Sequence, residues 1–495
     1  MYAFWRILLP DHRARSPGDH PCTVLATKSG QSLAHQAISM SYLSEKRSME
    51  TVPSELILGC KKCSHGNKVT VNFPDATFTF HAQWLHDARC DDGPSKNAAT
   101  AICQQPLPTA HAETVEFSGQ GAGRTLDVTW DDGLASKFPA VWLRAMAPLV
   151  ARLDSPEAAP KEGTDLQGWL VDTLKIPEIS YHEIFPKDAK QEYLDTITAR
   201  VLYQLLDESM PGIVKVVDLP SPNLEDERSH QNNINTQVLK RLFGSVFIHP
   251  IRGTDQTFNV SSHSDDAKRA IGVPNYDTTQ LLLPHTDHAF YDNPIQVEGF
   301  YCLEGISENT WVSALASLAT LKEESPDLYE HLRKAPMALG RVSRFYGDPL
   351  YQATVDTAIT MEPGFHNQVK RVRWHPNLMG SLLTPYDEYK QARAAHQKFE
   401  EIMRRDTHQL KLIFKPGDLY IWDNFRVLHG RERVLEVPRT GIGQTVPEQI
   451  VHDRSRALHM NVLQRYIDEK WLVHMPMKQL REMLRIVKGH YWLDG

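Results

Sequence analysis

Two short segments, far apart in the chain, carry side chains whose chemistry is complete only when they meet. The first is Leu283-Pro284-His285-Thr286-Asp287; the second is Asp423-Asn424-Phe425-Arg426-Val427-Leu428-His429-Gly430-Arg431. Side chains on an extended strand alternate with period two, so His285 and Asp287 leave the backbone on the same side. A histidine delivered by a distant strand, His429, then completes two imidazoles and one carboxylate on one face of a metal ion. A His-x-Asp pair alone is weak evidence in a chain with 23 histidines. Here it closes an apolar strand pattern over residues 278–283 and precedes the turn Asp292-Asn293-Pro294. Any fold must therefore bring strands distant in sequence side by side.

The rest of the chain is patterned for such a fold. Strand signals recur at residues 245–248, 278–283, 297–303, 310–314, 369–374, 410–414, 419–422 and 456–463. Helical stretches at 315–321, 327–333 and 386–405 interrupt them without the regular alternation of a parallel α/β sheet. The expectation is a mainly β fold with decorating helices, a sandwich or jelly roll whose open end can hold a metal between inward-pointing side chains. At 495 residues the chain exceeds one small core. Residues 1–50 read as an N-terminal extension, a transit peptide or a disordered segment, and residues 51–150 as a small β-rich domain. Residues 151–190 read as a linker with a short helix at 166–174. The catalytic domain spans 191–495, opening with an amphipathic helix at 191–206 and closing with an apolar helix stripe.

Composition excludes other classes. A net charge of −7 without a basic stripe gives no attraction to nucleic acid or anionic membranes. No apolar run approaches the ~18–20 residues a membrane span needs. Six cysteines in so long a chain do not form a disulfide framework, which points to an intracellular compartment, cytoplasmic or mitochondrial. The pair Cys60 and Cys63, with Cys90 downstream, lacks the second pair a structural zinc site needs, so structural zinc is not expected. No Gly-rich phosphate loop is present, against kinases, NTPases and nicotinamide enzymes.

A facial set of two histidines and one carboxylate leaves open positions and is diagnostic of non-haem Fe(II) oxygenases. The chain also resembles the taurine dioxygenase-like superfamily of Fe(II)/2-oxoglutarate oxygenases, and within it the γ-butyrobetaine and trimethyllysine hydroxylases. The likeness rests on the two segments above, on Gln296-Val297-Glu298-Gly299-Phe300-Tyr301-Cys302-Leu303 and on Lys415-Pro416-Gly417-Asp418, covering roughly residues 190–470. It implies a double-stranded β-helix (jelly roll), Fe(II) held by His285, Asp287 and His429, and 2-oxoglutarate as co-substrate, with ascorbate supportive. It further implies Thr310 and Phe300 beside 2-oxoglutarate and an arginine on its distal carboxylate. Arg456, at the start of a strand after the histidine motif, is the expected match; residues 438–453 then read as an insertion, and Arg439 and Arg454 are the alternatives. A homodimer acting on a small-molecule substrate is also implied.

Departures from the family pattern bear on the substrate. Relatives that take trimethylammonium groups surround them with aromatic faces. Here the residue after His-Thr-Asp is His288, and the corresponding region offers Arg252 and Phe258, with Asn275, Tyr276 and Tyr291 nearby. Arg252 would repel a quaternary cation. The expected activity is oxidation of a C–H bond in a small polar molecule, coupled to conversion of 2-oxoglutarate to succinate. The alternatives are a carnitine-precursor hydroxylase with a rearranged cage of Tyr276, Phe258, Tyr291 and Phe290, a catalytically silent binding relative, and a zinc hydrolase using the same ligands.

Overall fold

The two faces of the strand Ile295–Glu304 go to two different cores, and this arrangement organises the molecule. Val297, Tyr301 and Leu303 pack under the helices Gln191–Leu206, Ile234–Phe243 and Glu448–Leu463. Phe300 and Cys302, one residue out of phase, join Trp311, Phe414, Tyr420, Trp422 and Val427 in a second, largely aromatic layer. The computed structural model describes residues 56–90, 110–120, 123–154, 166, 168–221, 233–248, 257–261, 281–343, 350–362, 365–433 and 439–488.

Ile295–Glu304 lies in a six-stranded sheet ordered Glu178–Ser180, Ile213–Val217, Leu419–Asp423, Ile295–Glu304, Thr440–Pro447, Thr257–Ser261. Every pair is antiparallel except the first. A four-stranded antiparallel sheet, ordered Leu282–His285, Val427–Arg431, Ser307–Ser313, Gln409–Phe414, faces it. Ring pairs tie the two together: Trp311 lies 4.9 Å from Tyr420 and 5.9 Å from Trp422, and Phe300 lies 6.2 Å from Phe414. Such pairs contribute roughly 0.5–1.5 kcal/mol each beyond the area they bury. The far face of the smaller sheet, through Val312 and Leu428, is covered by the helices Ala314–Glu324, Pro326–Lys334 and Tyr386–Met403.

Residues 56–154 form two three-stranded antiparallel sheets and the helix Ala140–Asp154. Their core includes Leu480, Met483, Leu484 and Val487 from the last helix, Met477–Lys488. The Trp142 ring lies 5.1 Å from that of Trp471, tilted by 57°, and donates its indole N–H to the Trp471 carbonyl at 3.1 Å. The C-terminal helix stripe is thus buried against the N-terminal module. Of the residues read as a linker, Trp169 enters the aromatic layer and Glu178–Ser180 pairs into the large sheet. A single 3₁₀ turn, Val171–Thr173, stands where a short helix was expected.

Two further expectations are corrected. The stretch 456–463 is not a strand; it is the second half of the helix Glu448–Leu463, with Val451, Ser455, Leu458, His459 and Leu463 buried at helical spacing. The segment read as an insertion, 438–453, instead contains Thr440–Pro447, a central strand paired along the length of Ile295–Glu304. Among the described residues no helix is long and apolar enough to cross a membrane.

Candidate active site

Side chains that point inward between the two sheets, at one end, build a pocket. His285 and His429 face each other across adjacent strands, their Cα atoms in register and their rings 4.4 Å apart. His285 Nε2 lies 3.4 Å from Asp287 Oδ1, and His429 Nε2 lies 3.9 Å from Asp287 Oδ2. The His285 Nδ1 donates to the Leu283 carbonyl at 2.8 Å, which turns its Nε2 toward Asp287. The three expected ligands therefore converge.

The motif around His429 works mainly as a clamp. Asn424 Oδ1 accepts from the Asp287 backbone N–H at 2.9 Å, while Asn424 Nδ2 donates to the carbonyls of Asp287 at 3.0 Å and Ile295 at 3.1 Å. Arg426 donates to Asp423, to the Met210 carbonyl and to the Leu205 carbonyl, fastening the turn to the end of the helix Gln191–Leu206. Gly212, at φ 75°, admits that guanidinium: a Cβ there would lie 3.0 Å from Arg426 Nε. Gly430 lets strands close, because its Cβ would meet the Leu282 carbonyl and Thr310 Oγ1, both at 2.6 Å.

Two donors that sequence reasoning missed complete the site. Glu298, 1% exposed, projects from the same face as Phe300 and lies 3.9 Å from His429 Nε2. His375, also 1% exposed, brings its ring 4.6 Å from that of His285. Two overlapping donor sets result, His285/Asp287/His375 and Asp287/Glu298/His429, with ligand atoms within 4.8 Å in each. Period two supplied a signal for Glu298, since Phe300 was already placed inward. No comparable pattern pointed to His375.

Electrostatics follow from this crowding. Burial raises the Asp287 carboxyl, but the hydrogen bond and charge of His285, then His429 and His288, outweigh it and hold it well below the usual range. Burial, followed by the Asp287 charge, drives Glu298 well above it. Burial and the neighbouring His285 push His429 down to about 3. Glu298 Oε2 is buried without a hydrogen-bond partner. Two carboxyls among imidazoles, one with an orphaned buried oxygen, form a nitrogen–oxygen donor set suited to a divalent transition ion. No cysteine joins a donor cluster among the described residues; Cys63 Sγ contacts Asn67, and Cys90 Sγ contacts backbone carbonyls.

The arginine that lines the pocket is not the one expected. Arg456 lies on the helix Glu448–Leu463 and donates to the carbonyls of Leu472, Val473 and Met475, away from the pocket. Arg454 pairs with Asp195 on the outer helices. Arg439, 3% exposed, lines the pocket instead, 5.1 Å over the Phe300 ring and donating to Asn309 Oδ1 at 3.3 Å. Burial lowers its pKa to about 10. Phe300 lines the pocket as expected, in space provided by Gly441, where a Cβ would lie 2.2 Å from Phe300 Cζ. Thr310 is buried but points to the opposite face; Asn309 and Trp311, its neighbours, are the lining residues.

Of the expected substrate residues, His288 lines the pocket with φ 54°, a left-handed conformation costly for a histidine. Tyr291 lies behind it, accepting from Gln352 and packed 4.9 Å from Phe290. Phe258 sits on the edge strand Thr257–Ser261 opposite Gly443. Arg252, Asn275 and Tyr276 lie outside the described residues. Arg341, which was not expected, lines the pocket with its guanidinium 5.6 Å over the Phe290 ring.

Comparison with known proteins gives concordant results. The family model described as taurine catabolism dioxygenase TauD, TfdA family, matches residues 194–442, half of the chain. A mitochondrial trimethyllysine dioxygenase of Gallus gallus is 25% identical over 385 residues, covering 76% of this chain and 82% of that protein. Gamma-butyrobetaine dioxygenase of Homo sapiens is 22% identical over 372 residues, covering 68% and 95%. Dioxygenase str8 of Strobilurus tenacellus is 22% identical over 370 residues, covering 72% and 78%.

Proposed function

The chain belongs to the TauD, TfdA dioxygenase family, and on that premise we propose that the pocket oxidises a C–H bond of a small polar substrate using Fe(II) and 2-oxoglutarate. The observation that carries the reading is the convergence of His285, Asp287 and His429 at one end of two facing antiparallel sheets, read here as the family's double-stranded β-helix. These three residues would hold Fe(II). The bound ion and its keto-acid co-substrate supply oxygen activation coupled to decarboxylation to succinate.

The protein's part is positioning and exclusion. His285 is held in the metal-binding tautomer by the Leu283 carbonyl, and Asp287 is held by Asn424. Arg439, backed by Asn309 and the Phe300 ring, is the cation for the distal carboxylate of 2-oxoglutarate; this role passes to it from Arg456, which is committed elsewhere. A planar, permanently charged fork suits a carboxylate in a buried setting. Trp311, Trp422 and Phe414 wall the pocket and exclude water from the reacting carbon.

The substrate reading rests on Phe290. Its ring face already carries the Arg341 guanidinium, so a trimethylammonium group would compete with a cation of the protein. A carnitine-precursor activity is the second reading, supported by the names of the relatives and by the cluster of Phe247, His288, Phe290 and Tyr291 rings. The deciding experiment measures succinate release with Fe(II), ascorbate and 2-oxoglutarate, against γ-butyrobetaine, trimethyllysine and a panel of amino acids and other polar acids. Stimulation by a compound without a quaternary ammonium supports the first reading. Stimulation confined to the two betaine-type compounds establishes the second.

A further inference from the structure

His375 occupies a position that the facial set does not require. It is buried, lines the pocket and, with His285 and Asp287, forms a donor set whose ligand atoms lie within 4.8 Å of one another. Its placement is fixed by backbone bonds to the ligand-bearing segment itself. Thr286 N–H donates to the Trp374 carbonyl at 2.7 Å, and Trp374 N–H donates back to Thr286 Oγ1 at 3.1 Å. On the preceding residue, Arg373 donates to the carbonyls of Ala289 and Tyr291, just past Asp287. Trp374 is locked behind it by stacking on His396 at 5.5 Å and an edge contact with Phe399 at 5.0 Å. The segment carrying His375 is therefore stitched to the segment carrying His285 and Asp287 at Thr286 and again beyond Asp287.

We propose that His375 is a fourth protein donor to the metal ion held by His285, Asp287 and His429, in an exchangeable position that 2-oxoglutarate displaces. The proposal rests on the metal-centre reading above. The alternative is a core histidine that packs and does nothing else. A packing role has no use for a ligand atom directed at two metal ligands, whereas a donor does. The count of positions supplies the exchange: a six-coordinate ion held on one face keeps three sites, a chelating keto acid takes two and O₂ the last. A fourth protein ligand has to leave before both can bind. His375 thus caps the ion while co-substrate is absent and yields when it arrives, which limits oxidation of an ion with no 2-oxoglutarate to turn over.

The test counts imidazoles at the metal, independently of turnover. The full chain is loaded anaerobically with Co(II), and X-ray absorption is recorded with and without 2-oxoglutarate for wild type, His375→Asn and His375→Gln. Wild type is expected to show three imidazoles, falling to two when 2-oxoglutarate is added; both variants show two in either condition. Co(II) affinity in the variants should fall about tenfold or more, the scale seen when metal-site support is removed. Two imidazoles in wild type under both conditions, with unchanged affinity in the variants, overturns the proposal. The 2-oxoglutarate-dependent change in wild type needs no variant, so a poorly folding substitution does not rescue it. If wild type binds no Co(II) or Fe(II), the metal-centre reading itself falls and the proposal with it.

Discussion

Replacing Arg439 by methionine separates the cost of this residue from its use. The guanidinium is 3% exposed, and burial brings its pKa down to about 10. Against the ordinary value of a guanidinium, that depression corresponds to roughly 3 kcal/mol by which the charged form is disfavoured in the ligand-free pocket, at ~1.36 kcal/mol per pKa unit. Methionine removes that penalty and keeps most of the volume, but strands the Asn309 oxygen, at about 1 kcal/mol. Metal-free Arg439→Met should therefore be more stable than wild type by about 1–3 kcal/mol in urea unfolding. Binding of 2-oxoglutarate should move the other way. Losing two charge-assisted hydrogen bonds, at about 1.5–3 kcal/mol each, raises the KM for 2-oxoglutarate by roughly a hundredfold or more. Fe(II) affinity without co-substrate should be unchanged. A variant that is less stable than wild type by more than about 2 kcal/mol, yet keeps its KM for 2-oxoglutarate, would show that Arg439 is a structural residue and refute the reasoning.

Other perturbations bear on the same scaffold. Asn424→Ala deletes three hydrogen bonds at Asp287 and Ile295 and should cost about 3–4 kcal/mol, with Fe(II) affinity down about tenfold or more; unchanged affinity would mean Asp287 is oriented without it. Gly441→Ala forces the Phe300 ring to move and should cost about 1–3 kcal/mol while raising the KM for 2-oxoglutarate and sparing metal binding; a normal KM would detach Phe300 from the co-substrate. His459 is lowered to about 4 by burial, then by Arg481, so the unfolded chain takes a proton that the folded one refuses. Its contribution to stability is complete above pH ~6.5 and is lost as pH falls toward 4, up to about 3 kcal/mol. His459→Leu should flatten that acid limb, and superimposable pH–stability curves for the two proteins would remove His459 as its cause.

The meeting of His285, Asp287 and His429 was legible because it is local to two short motifs: period two places His285 beside Asp287, and the motif around His429 carries its own clamp. The helix Gln191–Leu206 was readable from period alone. The anion site was not. Residues 456–463 viewed as eight residues fit a strand, and only the longer window from Glu448 shows the helical spacing of Val451, Ser455, Leu458 and His459. That misreading favoured Arg456 over Arg439, the arginine that lines the pocket, and turned the strand Thr440–Pro447 into an insertion. Thr310 failed by a single step of register, which exchanges the faces of a strand and brings Asn309 to the pocket. His375 was invisible for a different reason. Its position depends on hydrogen bonds between Thr286 and Trp374, and no sequence period encodes a pairing of two irregular segments.

The most direct measurement is Fe(II)-dependent conversion of 2-oxoglutarate to succinate by the full chain without added substrate, compared with His285→Ala, Asp287→Ala and His429→Ala. Slow succinate release by wild type that requires Fe(II) and disappears in all three variants is the predicted result. Release that persists in any folded variant, or its absence from wild type that demonstrably holds iron, contradicts the assignment of these residues as the working metal centre.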